Sequence, residues 1–597
     1  MVLDRPEVTV PTGTGTGTGT APARPGPAGR AGAALRRNAG RLGLMAVPLA
    51  FFAVFFAHPV AAIVGRGLRI DGVWQFGRIG EVLGRDDLQR VLWFTTWQAV
   101  VSTVLTLLIA LPGAYVLARF SFPGKKLLRA VVTVPFVLPT VVVGSAFLAL
   151  VGRGGVLDEL WGVRLDGTVW AILLAHVFFN YAVVVRTVGG LWGQLDPRQE
   201  EAARVLGAGR FTAWRRVTLP VLTPAVAAAA LMVFLFTFTS FGIVQILGGP
   251  TTATLEVEIY RQTAQLLDLR TAAVLTLVQF AVVGTVLAVH ARAVRRREGA
   301  LRLVDPERAA RPVRGAGQRA LLAGVLLTVA VLLLTPLAVL VERSFDTSGG
   351  YGLDHYRSLG TLDEAGGAFL VPPIEAVGNS LEYALAATAV AVLVGSLAAA
   401  ALTRRAGRLT RGFDALLMLP LGVSAVTVGF GFLIALDEPP LDLRSSWILV
   451  PLAQALVGTP FVVRTMLPVL RAVDGRLREA AAVLGASPLR VWREVDFPLV
   501  SRALLISAGF AFAVSLGEFG ATVFLARPDQ PTLPVAVARL LSRPGELNYG
   551  QAMALSTILM VVCAVALFLL ERIRVRPSSS ASPSASSSAS SATAAAF

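Results

Sequence analysis

Glu201-Ala-Ala-Arg-Val-Leu-Gly207 is followed by a basic stretch that ends in Thr218-Leu-Pro220. A near copy, Glu479-Ala-Ala-Ala-Val-Leu-Gly485, is followed by Asp496-Phe-Pro498, and the two copies are 278 positions apart throughout. Both copies lie between long apolar segments, in loops rich in arginine. A repeated polar loop of this kind predicts a membrane protein with two similar halves and two similar docking points.

The composition is that of a chain that crosses a membrane many times. Of its 597 residues, 55% are hydrophobic and 15% are charged, whereas a soluble globular protein is usually about 25% charged. Apolar runs of about 20 residues recur, which is the length an α-helix needs to cross a bilayer. The net charge of +17 does not indicate a nucleic-acid partner, because the basic residues lie in short loops beside apolar runs. That placement is typical of a protein surrounded by membrane lipid.

Twelve candidate spans divide into two sets of six. They lie near residues 44–64, 91–118, 127–151, 168–190, 222–246, 272–291, 320–341, 379–402, 413–436, 447–467, 500–525 and 550–571. The connecting loops alternate between arginine-rich and acid-rich, and the arginine-rich set includes both copies of the repeat. This bias predicts a multi-pass membrane protein with both termini and both repeated loops in the cytoplasm.

The domain organisation follows from these spans. Residues 1–43 are rich in Thr, Gly and Pro, and residues 573–597 are rich in Ser and Ala. Both are predicted to be disordered tails, because neither can bury a core. Between them lie a first membrane half at 44–292, a polar cytoplasmic linker at 293–319 and a second membrane half at 320–572.

The repeat extends beyond the polar loop. Further matched segments are Val183-Val-Val-Arg-Thr187 with Phe461-Val-Val-Arg-Thr465 and Ser240-Phe-Gly242 with Glu518-Phe-Gly520, both 278 apart, and Pro135 and Gly144 with Pro420 and Gly429, 285 apart. Because each half has an even number of spans, the two halves have the same orientation. They are therefore related by an axis along the membrane normal.

Each repeated loop is predicted to begin with a short helix. Asp196 suits the N-cap and Pro197 the first helical position, and Gly207 suits the left-handed residue that ends a helix. In the second copy Asp474 takes the capping position and Gly475 replaces the proline. A helix of about ten residues is expected in each loop. It could lie in a groove of another protein or rest on lipid headgroups.

The loop pattern resembles that of binding-protein-dependent ABC importer permeases. That pattern is Glu-Ala-Ala, three residues, Gly, nine residues, a β-branched residue, any residue, and Leu-Pro. The matching residues are Glu201, Ala202, Ala203, Gly207, Val217, Leu219 and Pro220 in the first copy, and Glu479, Ala480, Ala481, Gly485, Val495 and Pro498 in the second. Phe497 departs from the pattern, one hydrophobic residue replacing another. The resemblance covers residues 91–290 and 379–572.

The resemblance implies an all-α protein of the bacterial cell membrane with the type I ABC importer permease fold. It implies that each loop is a coupling helix seated in one subunit of a separate cytoplasmic ATPase homodimer. An extracytoplasmic solute-binding protein would deliver the cargo, which would cross by alternating access without covalent chemistry in this chain.

The cargo is left open by mixed resemblances. A fused pair of halves is similar to the ferric-iron and thiamine branch of these permeases, and the stretch from Leu247 to Tyr260 looks most like thiamine permeases. Gly517-Glu-Phe-Gly-Ala-Thr522 is also similar to molybdate and sulfate permeases. Thiamine or ferric iron is favoured, and an oxyanion remains the alternative cargo.

No catalytic residue, metal site or cofactor is predicted. The chain lacks a Gly-x-x-x-x-Gly-Lys-Ser/Thr loop, so ATP hydrolysis must come from a partner. Its four histidines have no ligand spacing, and its only cysteine, Cys563, excludes an intramolecular disulfide.

Four polar residues are candidates for the translocation pathway. Glu518, in the eleventh span, is the main one, and Ser240 holds the equivalent position in the first half. An acid inside a membrane usually faces protein or a water-filled cavity. Alternatively, Glu518 is an acid near a helix end that is hydrogen-bonded to a neighbour. Asn180 and Gln245 are weaker candidates, because polar residues also join helices within membranes.

An ion-gradient-driven secondary transporter of twelve helices is the alternative function class. It would need several membrane-buried acids, bases or histidines for ion coupling, and this chain offers essentially Glu518. A ligand-sensing membrane protein is a third possibility.

Overall fold

The computed structural model describes residues 43–295, 310–362, 370–403, 407–437 and 442–575. The predicted tails at 1–43 and 573–597 lie almost entirely outside these residues, as does the centre of the predicted linker at 293–319. The described chain is overwhelmingly helical, and its few strands are two residues long. The predicted all-α fold is confirmed.

The first half contains twelve helices, of which five are shorter than ten residues. In chain order they are α1 Gly43–Leu68, α2 Gly77–Leu83, α3 Asp86–Arg119, α4 Lys125–Val137, α5 Thr140–Val151, α6 Val156–Trp161, α7 Val169–Gln194, α8 Arg198–Val205, α9 Arg210–Phe238, α10 Gly242–Leu247, α11 Leu255–Tyr260 and α12 Leu269–Arg295.

The second half follows the same plan. Its helices are α13 Ala316–Phe345, α14 Asp354–Ser358, α15 Glu375–Thr403, α16 Arg408–Met418, α17 Ala425–Ala435, α18 Leu449–Ala472, α19 Gly475–Val483, α20 Leu489–Leu516, α21 Thr522–Leu525, α22 Leu533–Leu541 and α23 Glu546–Val575. The strands are β1 Arg69–Ile70, β2 Val73–Trp74, β3 Phe120–Ser121, β4 Arg311–Pro312, β5 Asp346–Thr347 and β6 Gly350–Tyr351. They pair as β1–β2 and β5–β6, which are antiparallel, and as β3–β4, which is parallel.

Eleven helices in the described residues are long and apolar enough to cross a membrane. The predicted span at 413–436 is wrong as a single helix, because it divides into α16, a short 3-10 turn at Leu419–Gly422 and α17. The predicted span at 127–151 is likewise divided into α4 and α5. The predicted spans at 222–246 and 500–525 end early, at Phe238 and Leu516, and short helices follow each.

Local chemistry explains the paired breaks. Leu138 is extended, the conformation favoured before a proline, so α4 cannot continue into α5 through Pro139. At the equivalent position in the second half, Ser424 caps α17 by accepting a hydrogen bond from the Val426 N–H at 3.0 Å. Proline in one half and an N-cap serine in the other therefore produce the same break.

Each half extends its first helix onto the other half. The C-terminal part of α1 packs against α12 of its own half and α17 of the second half, where Gly431 allows Pro59 and Ile63 to approach closely. The C-terminal part of α13 packs in the same way against α23 and against α5 of the first half. Residues of both halves therefore share one continuous apolar core.

A matched hydrogen bond shows that the halves are built alike. The Thr95 hydroxyl accepts from the Leu255 N–H at 2.8 Å, and the Ser380 hydroxyl accepts from the Leu533 N–H at 2.6 Å. These are equivalent positions, 285 apart for the acceptors and 278 apart for the donors. The internal repeat seen in the sequence is therefore a repeat of the tertiary structure.

Candidate functional site

The first repeated loop, residues 195–220, begins with the short helix α8. The Asp196 carboxylate accepts from the Arg198 N–H at 2.9 Å, which is the hydrogen bond expected of the predicted cap, but the helix starts at Arg198, so Pro197 and not Asp196 holds the N-cap position. Gly207 has a φ of +91°, the left-handed conformation that glycine adopts without steric cost. The helix has 8 residues, somewhat fewer than the ten expected.

The second repeated loop, residues 473–498, has the same backbone design. The Asp474 carboxylate accepts from the Arg476 N–H at 3.0 Å, and Gly485 has a φ of +84°. The helix α19 has 9 residues and begins at Gly475. The N-terminal hydrogen bond and the left-handed glycine are present in both loops, so the two short helices begin and end in the same way.

Both helices present acid and apolar groups to the exterior. Glu201, Ala202, Glu479 and Ala480 are exposed, and Ala203 and Ala481 are half-buried. At the tip of each helix a pair of large apolar residues is 87–88% exposed: Val205 and Leu206 in the first, and Val483 and Leu484 in the second. Exposed apolar residues clustered at a helix end are typical of a surface that another protein or a membrane covers.

Each short helix is tied to the start of the next membrane helix, but by different chemistry. In the first loop the Thr218 hydroxyl donates to the Glu200 carboxylate at 3.1 Å. In the second loop the Arg478 guanidinium donates to the Asp496 carboxylate at 2.7 Å. Arg478 and Asp496 stand 278 positions after Glu200 and Thr218, so the contact is kept although both side chains have changed.

Glu201 differs from Glu479 in having a partner within its own chain. Arg311, in β4, forms an ion pair with Glu201, and β4 is anchored by its parallel pairing with β3 at the end of α3. Within the described residues, Glu479 has no hydrogen bond or ion pair. The described part of the chain that leads into the second half therefore touches the first short helix.

A buried polar cluster supports the first membrane turn, residues 239–241 between α9 and α10. His176 bonds through Nδ1 to the Ser102 hydroxyl at 3.0 Å and through Nε2 to the Ser240 hydroxyl at 2.9 Å. The Asn180 amide donates to the His176 carbonyl at 3.0 Å. Two of the predicted pathway residues, Asn180 and Ser240, are thus joined by a histidine that sequence reasoning treated as isolated.

Glu518 lies in the second membrane turn, residues 517–521 between α20 and α21. It is 7% exposed, and its carboxylate accepts from the backbone N–H groups of Ala521 at 2.7 Å and Thr522 at 3.0 Å. The acid therefore caps the start of α21. This geometry corresponds to the alternative of a hydrogen-bonded acid near a helix end.

The two membrane turns meet through aromatic rings. Phe241 follows Ser240 and Phe519 follows Glu518, and their rings stack with centroids 5.1 Å apart. Tyr260 lies 5.5 Å from the Phe241 ring and 5.5 Å from the Phe524 ring. Both phenylalanines belong to the matched triplets Ser240-Phe-Gly242 and Glu518-Phe-Gly520, whose polar first residues alone were predicted to be functional.

The remaining polar residues of this region are held apart from the His176 cluster. Gln245 is half-buried on α10, and its Oε1 has no hydrogen-bond partner within the described residues. Glu256 and Glu258, in the stretch that resembles thiamine permeases, are at most 1% exposed. Gln279 donates to Glu256 at 2.5 Å and Gln262 donates to Glu258 at 2.6 Å. Sequence reasoning missed both acids, because they lie in a connection and not in a predicted span.

The chain is similar to known membrane transport proteins. The family described as binding-protein-dependent transport system inner membrane component matches twice, over residues 106–299 and 391–576. A probable ABC transporter permease protein of Sinorhizobium fredii is 25% identical over 514 residues, covering 83% of this chain and 90% of the relative. The thiamine transport system permease protein of Brucella abortus is 28% identical over 494 residues, covering 81% and 88%. The ferric transport system permease protein of Actinobacillus pleuropneumoniae is 25% identical over 561 residues, covering 88% and 77%.

Proposed function

The chain belongs to the family of inner membrane components of binding-protein-dependent transport systems, and we propose that it imports a small solute delivered by an extracytoplasmic solute-binding protein. It is a multi-pass ABC importer permease with both halves in one polypeptide. The observation that carries this function is the double family match, with one repeated loop inside each matched segment. This favours an ABC permease over a secondary transporter driven by an ion gradient.

The ATP-hydrolysing partner is a separate cytoplasmic homodimer that receives α8 and α19. Two equal helices suit two equal subunits, because their caps, left-handed glycines and exposed apolar tips are equivalent. The coupling residues are those of the matched motif: Glu201, Ala202, Ala203, Gly207, Glu479, Ala480, Ala481 and Gly485. Drawing the two helices together on ATP binding would rotate the halves and turn the pathway outward.

Both termini and both repeated loops lie in the cytoplasm, as the charge bias suggests. The test uses a Cys563→Ala background, which removes the only thiol. Single cysteines then replace Leu206 or Leu484, which are 88% and 87% exposed. An impermeant thiol reagent should label them in inverted vesicles and not in intact cells. Labelling in intact cells would contradict this orientation.

Thiamine is the favoured cargo and ferric iron the second. Support comes from the relatives that transport thiamine and ferric iron by name and from the stretch from Leu247 to Tyr260. Molybdate and sulfate stay as the alternative within the same class. Glu518, Ser240, Asn180 and Gln245 are the proposed pathway residues, Glu518 and Ser240 through their place beside the stacked rings.

The experiment compares uptake of labelled thiamine, ferric iron and molybdate in cells with and without this gene, together with the neighbouring ATPase and binding-protein genes. Gene-dependent uptake of thiamine, or of ferric iron, that also requires the ATPase is the expected result. Gene-dependent uptake of molybdate alone would overturn the cargo assignment and leave the permease assignment intact. Uptake that continues without any ATPase would overturn the coupling assignment.

A further inference from the structure

The stacked pair of phenylalanines marks the symmetry axis of the molecule. Phe241 and Phe519 are equivalent residues, 278 positions apart. The midpoint between two residues related by a two-fold axis lies on that axis, and these rings are in direct contact, 5.1 Å between centroids. Because the halves are related by an axis along the membrane normal, a pathway between them follows the same line. The ring pair therefore stands across the line of transport.

Two further rings extend this contact. Tyr260 of the first half packs against Phe241, and Phe524 of the second half packs against Tyr260. The four rings, Phe241, Tyr260, Phe519 and Phe524, are named the aromatic plug here. Phe241 is 6% exposed and Phe519 is 2% exposed. Two rings come from each half, so movement of one half relative to the other would separate them.

A glycine follows each phenylalanine of the stacked pair and lets its turn pack closely. Gly242 follows Phe241, and a Cβ there would lie 2.4 Å from the Thr140 hydroxyl of its own half and 3.3 Å from the Phe519 ring of the other half. Gly520 follows Phe519, and a Cβ there would lie 3.0 Å from the Cβ of Ala425, the equivalent of Thr140 in its own half. Both turns are therefore held against the equivalent helix of their own half, and the first also lies close to the Phe519 ring.

The plug lies far from the repeated loops. A helix of 20 residues, Leu219–Phe238, separates the first loop from the first membrane turn. At 1.5 Å per residue this is about 30 Å, the thickness of the hydrocarbon core. The second loop and second turn are separated by Phe497–Leu516, also 20 residues. The plug is therefore at the end of the pathway opposite the proposed ATPase.

From these observations we propose that the aromatic plug is the outer gate of the permease. It seals the pathway in the conformation described here and opens when the halves rotate apart. The sealing is apolar, since a constriction lined only by rings excludes water and ions. Ser240, bonded to His176, and Glu518, capping α21, hold the two turns that carry the rings. This inference rests on the proposed alternating-access function.

The first test is a leak measurement that needs no ATPase, binding protein or cargo. The full chain carrying Phe241→Ala and Phe519→Ala is reconstituted into vesicles loaded with rubidium ions. We expect efflux at least about tenfold faster than with the unaltered chain, because the dewetted constriction is lost. The matched control replaces Phe147 and Phe178, which are 1% and 0% exposed and pack edge to face within the first half.

The outcomes separate the gate from general loosening. Fast efflux from the Phe241/Phe519 variant, with no added efflux from the Phe147/Phe178 control, supports the proposed gate. Equal efflux from both variants, or no added efflux from an inserted and monodisperse Phe241/Phe519 variant, overturns it. These results do not depend on whether ATP-dependent uptake exists, so failure of the gate and failure of the proposed function can be distinguished.

A second variant decides the matter if the alanine pair does not insert. In a Cys563→Ala background, Phe241→Cys and Phe519→Cys are bridged by a short bifunctional thiol reagent. Bridging should be efficient in the resting chain and should stop ATP-dependent uptake until the bridge is cleaved. Failure to bridge, or a bridged protein that imports at the unbridged rate, overturns the gate.

Discussion

The two repeated loops share a backbone but not the side chains that hold it. In the first loop, Glu200 bonds to Thr218 and Glu201 pairs with Arg311. In the second, Arg478 pairs with Asp496, while Glu479 has no ion pair within the described residues. The cap and the left-handed glycine are the same in both. The backbone conformation is therefore the same in both loops, as docking to two equal subunits would require. The side-chain contacts that anchor the two loops differ.

The two membrane turns differ in the same way. Ser240 is held by a neutral chain through His176 to Ser102, whereas Glu518 caps α21 with two hydrogen bonds from backbone N–H groups. The equivalent of His176 is Gln454, which is also buried. Different polar groups therefore hold the two turns that place the equivalent residues Phe241 and Phe519 on the symmetry axis. Phe241 and Phe519 are thus equivalent residues held by different contacts, whereas the positions equivalent to Tyr260 and Phe524 are Ala538 and Ile246.

The largest effect is expected from reversing charge at both loops. Glu201→Lys with Glu479→Lys should lower ATP-dependent uptake by about a hundredfold or more, because each cation would face a surface complementary to an acid. Uptake and membrane insertion are measured together, and Asp354→Lys, at an exposed acid that begins α14, serves as the control. Full uptake by the double variant would reject both helices as docking elements.

The membrane turns should differ in what their polar residue contributes to stability. Glu518→Ala leaves two buried N–H groups without a partner and should lower the free energy of unfolding by about 2–3 kcal/mol. Ser240→Ala removes one neutral hydrogen bond and should cost about 1 kcal/mol. Unfolding in detergent by denaturant measures both, with Glu518→Gln, which keeps one acceptor, expected in between. Equal losses at the two turns would show that the different contacts are energetically equivalent.

The left-handed glycines should matter equally in the two loops. Gly207→Ala and Gly485→Ala each place a Cβ in a left-handed conformation, at a cost of about 1 kcal/mol. Affinity for the ATPase should fall by a similar factor in both. Gly209→Ala is the control, because Gly209 has a φ of −62° and open space around it. A clear difference between the affinity losses of Gly207→Ala and Gly485→Ala would show that the two loops are not equivalent in backbone conformation.

The smallest effect is expected at the contact that most obviously distinguishes the loops. Arg311→Ala removes the ion pair with Glu201, whose side chains are 60% and 47% exposed. Exposed pairs contribute roughly 0–1 kcal/mol, so uptake should change by less than about threefold. Initial uptake rates of this variant and the unaltered chain are compared side by side. A tenfold loss would mean that the linker positions α8.

Much of the candidate site could be predicted from the sequence because it depends on local rules. Asp474 caps its helix, and Gly207 and Gly485 are left-handed, as residue type and spacing indicated. Asp196 accepts the equivalent hydrogen bond, but the predicted start of α8 was wrong by one residue, since Pro197 and not Asp196 holds the N-cap position. The ninth span could not be predicted as two short helices, because apolar composition alone does not distinguish a broken helix from a continuous one.

The sequence by itself determined the membrane class, the two halves and their common orientation, because hydrophobic length, loop charge and a constant repeat offset are properties read along the chain. Only the tertiary structure decided which residues meet across it. His176 joins Ser102 to Ser240 over 74 and 64 positions, and Phe241 stacks on Phe519 from the other half. Such contacts depend on how helices pack against one another, and packing is set by shape and close approach at many positions at once. No local pattern at either residue specifies its partner.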